Sequence, residues 1–145
     1  MDRIAVKRLR ENAVIPTYGS AEAAGADLYA CLEGTITVAP GETVFVPTGI
    51  AMEVPKGCAG LVFARSSLGA KRGLAPANKV GVIDSDYRGE FFVALHNHGK
   101  LPQEIAHGER IAQLLIVPVF TPGFVEVSEL SDTQRGSGGF GSTGK

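Results

Sequence analysis

Short apolar runs, each interrupted by proline or glycine, make up most of the chain between residues 35 and 95. β-branched and aromatic residues concentrate in these runs, for example at residues 43–46 and 61–63, and turn residues such as Pro40 and Gly41 separate them. Short strands divided by turn signals are typical of an antiparallel sandwich or barrel. The pattern therefore predicts an all-β domain, with a first strand within residues 3–9.

Two segments are candidates for helix. Residues 23–30 are rich in alanine, but they are short and flanked by loop composition, which favours a strand. Residues 66–72 form the better candidate, because Ser66 and Ser67 are able to cap the start of a helix and Gly73 follows its end. We expect one short helix in the domain.

Residues 111–120 are apolar at both strand parities. A strand of this kind needs cover on both faces, whereas a small antiparallel sandwich usually leaves one face in water. The run therefore predicts that the chain forms an oligomer, which would supply the second cover.

Residues 78–95 contain a polar corner between two apolar runs. The sequence from Asp84 to Gly89 supplies two acids, an aromatic residue and a base, and it predicts a β-hairpin in which Gly89 takes positive φ. Functional groups concentrate in loops of this kind. The spacing of Asp84 and Asp86 resembles the start of a calcium loop, but Leu95 stands where that loop needs a bidentate Glu.

Composition narrows the range of ligands. The chain has 145 residues, a net charge of −1 and a pI near 6.3, which suit one domain without a broad basic surface for nucleic acid or anionic membrane. Two cysteines are too few for a disulfide framework, and no apolar run approaches the roughly 20 residues of a membrane span. We expect a soluble cytoplasmic protein that binds neither nucleic acid nor membrane.

Candidate anion-binding groups are local. Arg65, Ser66 and Ser67 place a guanidinium and two hydroxyls at the start of the predicted helix, where backbone amides are also free. Residues 139–145 match the first part of a Walker loop, but the Ser or Thr that completes it does not follow, so only a nest of amides and hydroxyls remains. His96 and His98 share a strand face without an obvious third metal ligand.

The last part of the chain changes in composition. Residues 131–145 are rich in glycine and serine, which cannot pack a core, so they predict a flexible C-terminal segment of the same domain. The folded part of the domain is then expected to span residues 1–130.

Five segments, taken in order, resemble the five motifs of the trimeric dUTPase family, the dUTP nucleotidohydrolases. These segments are residues 24–29, 64–69, 81–89, 108–114 and 135–144. Each motif alone is weak, but five in this order across nearly the whole chain are specific. The resemblance implies a distorted β jelly roll that assembles as a homotrimer, with active sites that draw on all three subunits.

The resemblance also implies the chemistry. The family hydrolyses dUTP to dUMP and pyrophosphate in a Mg²⁺-dependent reaction, which limits uracil in DNA and supplies dUMP for thymidylate synthesis. By this likeness Asp84 activates the water that attacks the α-phosphorus, and Asp27 acts on Mg²⁺ indirectly, through water. The residues implied for phosphate contact are Arg65, Ser66, Ser67 and Gln113.

The likeness assigns the nucleoside to the corner at residues 78–95. Tyr87 would pack against the deoxyribose and leave no room for a 2′-hydroxyl. The residues implied for uracil recognition are Asn78, Gly81, Val82, Ile83 and Phe92. The C-terminal segment would close as a lid, and its implied substrate contacts are Arg135, Phe140, Gly141, Ser142 and Thr143.

Two alternatives stay open at this point. The dCTP deaminase family resembles this chain in fold and second motif, but it lacks the glycine-rich fifth motif and the corner at residues 84–87. A non-catalytic nucleotide-binding module on the same scaffold is the other alternative, and an intact Asp84 argues against it.

Overall fold

The computed structural model describes residues 3–139, which form twelve strands and one helix. The elements in chain order are β1 (Val6–Arg8), β2 (Thr17–Tyr18), β3 (Ala26–Tyr29), β4 (Ile36–Val38), β5 (Thr43–Pro47), β6 (Ile50–Met52), β7 (Cys58–Phe63), α1 (Ser66–Arg72), β8 (Leu74–Pro76), β9 (Gly81–Ile83), β10 (Phe92–Asn97), β11 (Gln103–Ile105) and β12 (Arg110–Pro118).

The strands form antiparallel sheets around one hydrophobic core. The largest sheet has the order β2-β3-β12-β7-β9, a second has the order β5-β10-β8, and the pairs β1-β6 and β11-β4 complete the described part of the chain. Leu28, Val46, Leu95 and Ile111 are among the fully buried core residues. This arrangement confirms the predicted all-β, jelly-roll-like fold, and it takes the form of open sheets that face one another rather than a closed barrel.

Strand β12 organises the five-stranded sheet because it pairs with both β3 and β7. Its residues Ala112 and Leu114 lie in the core, whereas Leu115 and Val117 on the opposite face are only half-buried. The core face is therefore covered within one chain. The cover that the sequence predicts for the opposite face stays a prediction.

Two local predictions are confirmed. Residues 23–30 do contain a strand, β3, in which Ala26, Asp27 and Leu28 are buried. The first strand lies within residues 3–9, although only Val6–Arg8 pair with β6.

The predicted helix is present, but its start differs from expectation. Gly73 ends it in the left-handed region at φ 68°, and its N–H donates to Leu68 O. The expected serine caps are wrong, because Arg65 takes the cap position without a side-chain hydrogen bond. Ser66 and Ser67 lie in the first turn instead, so neither hydroxyl caps the helix.

The predicted β-hairpin at residues 78–95 is wrong. β9 pairs with β7 and β10 pairs with β5 and β8, so residues 84–91, here named the corner loop, cross from one sheet to the other. Gly60 of β7 admits this pairing because it lies close to Ile83. A loop of this length does not force its two strands together as a two-residue turn does.

The reason for a glycine at position 89 also differs. Gly89 does not take positive φ. Instead, a Cβ at this position would lie 2.6 Å from Cζ of Tyr87, so only glycine leaves space for that ring. Among residues 3–139, none of the helices is long and apolar enough to cross a membrane.

Candidate active site

The corner loop and the strands on either side of it enclose a cavity of about 290 Å³, here named the main cavity. All the residues that the sequence assigns to the nucleoside, together with Asp84, line it. The lining residues are Phe45, Val62, Pro76, Asn78, Gly81, Val82, Ile83, Asp84, Tyr87, Glu90, Phe91, Phe92, Val93 and Ala94.

Two strand edges face the main cavity. β9 is the last strand of its sheet, so within residues 3–139 its outer edge has no ladder partner. On β10, the ladder with β8 extends only to Leu95, and Ala77 N–H donates to Ala94 O just beyond it. Free main-chain donors and acceptors at such edges bind planar polar groups or extended segments. The cavity therefore offers a rigid backbone template.

Hydrogen bonds within the corner loop fix its shape. Tyr87 N–H donates to Asp84 O at 3.2 Å, and Arg88 Nη1 donates to Ser85 O at 2.8 Å and to Tyr87 O at 3.0 Å. These bonds hold the backbone of Asp84 at the rim, where its carboxylate is exposed. Asp86 does not line the main cavity; together with Ser85 and Arg88 it lines a separate groove.

A second, polar cavity of about 220 Å³ lies beside the start of α1 and is here named the arginine cleft. Asp27 lies at its base, with Arg65 Nε 2.7 Å from Oδ1 and Arg110 Nη1 3.4 Å from Oδ2. One carboxylate between two guanidiniums leaves net positive charge, which suits phosphate. The lining residues are Gly19, Ala23, Gly25, Asp27, Arg65, Ser66, Arg110 and Gln113.

Gln113 is oriented within the arginine cleft by its neighbours. Its Nε2 donates to Ala64 O at 2.9 Å, and a Cβ on Gly25 would lie 2.7 Å from its Oε1. Ser67 is outside the cavity lining, but Arg65 Nη1 donates to its Oγ at 3.2 Å. The four residues predicted to contact phosphate therefore lie together at one end of α1.

The donor set at the arginine cleft does not form a metal cage. Within residues 3–139 no cluster of three His, Cys, Asp or Glu side chains is placed to hold a metal ion. Asp27 is a single carboxylate already engaged by two arginines. This set fits a hydrated Mg²⁺ held mainly by ligand oxygens and waters, as a hard cation that retains its hydration shell prefers.

His96 and His98 form a ring pair with centroids 4.4 Å apart, and His96 Nδ1 lies 2.8 Å from Thr43 Oγ1. Desolvation and the neighbouring His96 and Lys79 lower the pKa of His98. The pair lies outside both cavities.

The two cavities lie at different places on the five-stranded sheet, the arginine cleft at β3 and β12 and the main cavity around the edge strand β9. Asp27 of β3 and Gln113 of β12 are direct partners, and Gln113 also faces Phe63 of β7, so all three share a face. Gly81 of β9 pairs with Val62, whose side chain points to the other face, whereas Val82 pairs with Leu61 on the cleft face. The lining of the main cavity therefore extends around this edge of the sheet. No lining residue is common to the two cavities.

Of the C-terminal segment the structure describes residues 131–139, and none of these lines either cavity. Arg135 is exposed and donates from Nε to Gly138 O at 2.8 Å, away from both cavities. The predictions for Phe140, Gly141, Ser142 and Thr143 lie outside the described residues.

Several cavity residues were not predicted from the sequence, among them Arg110, Glu90 and Phe45. Arg110 lies within the fourth motif, and a charged residue at the start of an apolar strand could have indicated a binding residue there. Glu90 directly follows the third motif. Phe45 lies on another strand, and nothing in the local sequence connects it to the main cavity.

Comparison with known proteins gives the family. The model of the dUTPase family matches residues 11–144. The chain belongs to the dUTPase family. Deoxyuridine 5′-triphosphate nucleotidohydrolases from Desulfitobacterium hafniense strain DCB-2 and from Syntrophotalea carbinolica are 50% and 48% identical over 143 and 141 residues. These matches cover 98% and 97% of this chain and 95% and 96% of those proteins.

Solved dUTPases have the same fold. The dUTPase of Staphylococcus bacteriophage 80alpha, solved with dUpNHpp, is 29% identical with a TM-score of 0.92 and covers 100% of both chains. The dUTPase from phage phi11 of S. aureus is 26% identical with a TM-score of 0.82, covering 91% of this chain and 100% of that one. Family membership confirms the resemblance of the five motifs and the expected hydrolase class.

Proposed function

We propose that this enzyme hydrolyses dUTP to dUMP and pyrophosphate, with Mg²⁺, by attack of water on the α-phosphorus. The proposal rests on one observation. The predicted nucleoside residues line one cavity, which is bordered by free strand edges, and the predicted phosphate residues lie at a second cavity, which contains arginines. The relatives named as dUTP nucleotidohydrolases and the phage enzyme solved with dUpNHpp, an analogue of dUTP, support the same substrate. The reaction removes a source of uracil in DNA and supplies dUMP.

Uracil binds in the main cavity. The free edges of β9 and β10 offer main-chain N–H and C=O groups, and Asn78 adds a side-chain amide at the same place. Cytosine would present an amino donor where uracil presents an acceptor, and it would leave a rigid backbone group unpaired. Sites of this kind discriminate by about 10⁴–10⁵. Thymine is excluded by the space that its methyl group needs.

Tyr87 selects the sugar. Its ring lies at the cavity lining beside Gly89, and its hydroxyl donates to Glu90 O at 2.9 Å. A ring held in this position packs against deoxyribose and leaves no space for a 2′-hydroxyl. UTP is therefore a poor substrate.

Asp84 acts as the general base. Its exposed carboxylate at the cavity rim accepts a proton from water as the water oxygen bonds to the α-phosphorus. The bond from that phosphorus to the bridging oxygen breaks, and the electron pair leaves with pyrophosphate. A positioned base contributes typically about 10²–10⁴-fold to the rate.

The phosphates bind in the arginine cleft. Arg65, Ser66 and Gln113 lie at its lining, and Ser67 is held beside Arg65. Asp27 keeps Arg65 in place and would act on a bound Mg²⁺ indirectly, through water. When bound, Mg²⁺ neutralises negative charge on the phosphate oxygens.

The active site is shared between subunits of a homotrimer. The main cavity and the arginine cleft are separate within one chain and share no lining residue, so the cleft of one chain serves the cavity of a neighbour. The half-buried Leu115 and Val117 on the cleft face are suited to cover by another subunit. Residues 131–145 close over the assembled site as a lid, with Arg135 and Phe140 among its contacts.

Pyrophosphate release is the direct test. Purified protein is given dUTP, dCTP, dTTP or UTP with Mg²⁺, and pyrophosphate is measured by a coupled assay. We expect rapid release from dUTP alone. Equal rates with all four nucleotides would contradict recognition by the main cavity, and ammonia release from dCTP would instead indicate a deaminase.

A further inference from the structure

Glu90 lies at the end of the corner loop, at the lining of the main cavity, and its side chain is only 16% exposed. Oε1 accepts the Gly49 N–H at 2.9 Å and lies 3.5 Å from Arg10 Nη2. A half-buried carboxylate with a backbone donor and a guanidinium as partners is well fixed. Its contacts join the corner loop to the turn between β5 and β6.

The same residue holds Tyr87 through its backbone. The Tyr87 hydroxyl donates to Glu90 O at 2.9 Å, and the ring occupies the space that Gly89 leaves free. Any movement of the Glu90 backbone therefore moves the acceptor that orients the ring.

Gly49, whose N–H donates to the Glu90 carboxylate, lies in a tightly packed turn. Gly49 has φ 69°, and a Cβ there would lie 2.7 Å from Cys31 Sγ and 2.8 Å from Ala13 Cβ, so the turn is packed tightly against the core. Gly49 O also accepts the Leu9 N–H at 2.8 Å. The Glu90 carboxylate is thus tied to a rigid part of the scaffold.

The residues beside Glu90 and Gly49 reinforce this junction. Buried Thr48 donates from Oγ1 to Phe91 O at 2.6 Å and from its N–H to the same oxygen at 3.1 Å. Phe91 N–H donates to Ile50 O at 2.9 Å. These bonds fix the backbone at Phe91, directly after Glu90. On the side toward Tyr87, the corresponding contacts are made by Glu90 itself.

We infer that Glu90 is a positioning residue for sugar selectivity, which holds the Tyr87 ring in place by joining it to the Gly49 turn. This inference rests on the proposed function, because it concerns how the main cavity distinguishes deoxyribose from ribose. Small displacements at a binding site have large effects; misplacement by about 1 Å costs up to about 10²-fold.

The test compares Glu90→Ala with Glu90→Gln. Alanine removes the acceptor for Gly49 N–H, whereas glutamine keeps an oxygen at that position. For Glu90→Ala we expect the KM for dUTP to rise about tenfold with kcat within about twofold, and the ratio of kcat/KM for UTP to that for dUTP to rise about tenfold. For Glu90→Gln we expect both quantities to stay within about threefold of wild type.

A second pair of variants identifies the route. Tyr87→Phe lacks the hydroxyl that bonds Glu90 O, so it should raise the same ratio, and adding Glu90→Ala to it should add little, since the two changes break one connection. Glu53→Gln is the matched control, because Glu53 faces Arg88 of the same loop at 3.9 Å without touching Glu90. Its ratio should equal that of wild type.

The outcomes separate the two proposals. A wild-type protein that releases no pyrophosphate from dUTP overturns the proposed function. A wild-type protein that does release it, together with a Glu90→Ala variant of unchanged ratio and KM, overturns the inference alone. If Glu90→Ala does not fold, Glu90→Asp takes its place, because its shorter side chain withdraws from Gly49 N–H and should raise the ratio in the same direction.

Discussion

The main cavity and the arginine cleft both border the five-stranded sheet, but they are built from different parts of the chain. In the main cavity the groups that face a ligand are largely main-chain edges of β9 and β10, held by ladders with β7 and β5. In the arginine cleft they are side chains, arranged around the buried carboxylate of Asp27. Backbone edges cannot rearrange without breaking a ladder, whereas arginine side chains are free to change partners.

This difference assigns different tasks to the two cavities. A fixed edge distinguishes bases by their donors and acceptors, because a mismatch leaves a group unpaired. A cluster of guanidiniums binds any compact anion and contributes affinity more than selectivity. Changes in the main cavity should therefore alter which nucleotide is used, and changes in the arginine cleft should alter how tightly it binds.

The largest expected effect comes from the rim of the main cavity. Asp84→Asn keeps the shape of the side chain but removes the proposed base, so we expect turnover of dUTP to fall about 10²–10⁴-fold. Binding of dUTP should stay within a few-fold of wild type, because the amide makes no new clash. Pyrophosphate release and calorimetric binding measure the two quantities. A variant with wild-type turnover would remove Asp84 from the role of base.

Removal of residues 132–145 should have the next largest effect. The last strand among residues 3–139 ends at Pro118, so the fold should be retained, but the proposed lid would be lost. We expect turnover to fall by about 10²-fold or more. Circular dichroism and light scattering check the fold and the assembly. A folded, truncated protein with full activity would show that the segment is not a lid.

Co-expression of two inactive variants tests whether the cavities of different chains combine. Asp84→Asn disables the main cavity and Arg65→Gln disables the arginine cleft. If each active site takes one cavity from each of two chains, random mixing should leave about a quarter of the sites intact. If each site lies within one chain, every site carries a defect and no activity returns.

A matched control makes this result unambiguous. Asp84→Asn co-expressed with Asn78→Ala places both defects in the main cavity, so no chain carries an intact one. We expect no recovery in this mixture under either arrangement. Recovery of about a quarter in the first mixture together with none in the second would establish shared sites.

The sequence predicted the local elements better than the way they connect. β3 and α1 follow from composition and flanking turn residues, and Gly73 ends α1 as its position suggests. The hairpin prediction failed because an apolar run, a polar corner and a second apolar run do not reveal which edge each run will join. β9 joined β7, where Gly60 allows close approach. Pairing of strands far apart in sequence is decided by such tertiary fits.

The same limit applies to the candidate site. The motif residues that line each cavity were identified by resemblance, but which cavity each one joins depends on how distant strands pair, and the local sequence does not show that pairing. Glu90 and Phe45 could not be predicted from the local sequence, because their positions in the cavity depend on contacts with distant turns and strands. Arg110 could have been predicted, because it lies inside the fourth motif.

The smallest expected effect concerns Arg110 and tests the assignment of the arginine cleft. Its guanidinium is half-exposed and shares Asp27 with Arg65, so it adds charge without being required to hold the fold. For Arg110→Gln we expect the KM for dUTP to rise about tenfold with little change in kcat and no change in the preference for dUTP over dCTP. Arg8→Gln, on exposed strand β1, removes the same charge elsewhere and should leave KM unchanged. A loss of base preference in Arg110→Gln would contradict the division of tasks between the two cavities, because it would mean that a group in the cleft influences recognition in the cavity.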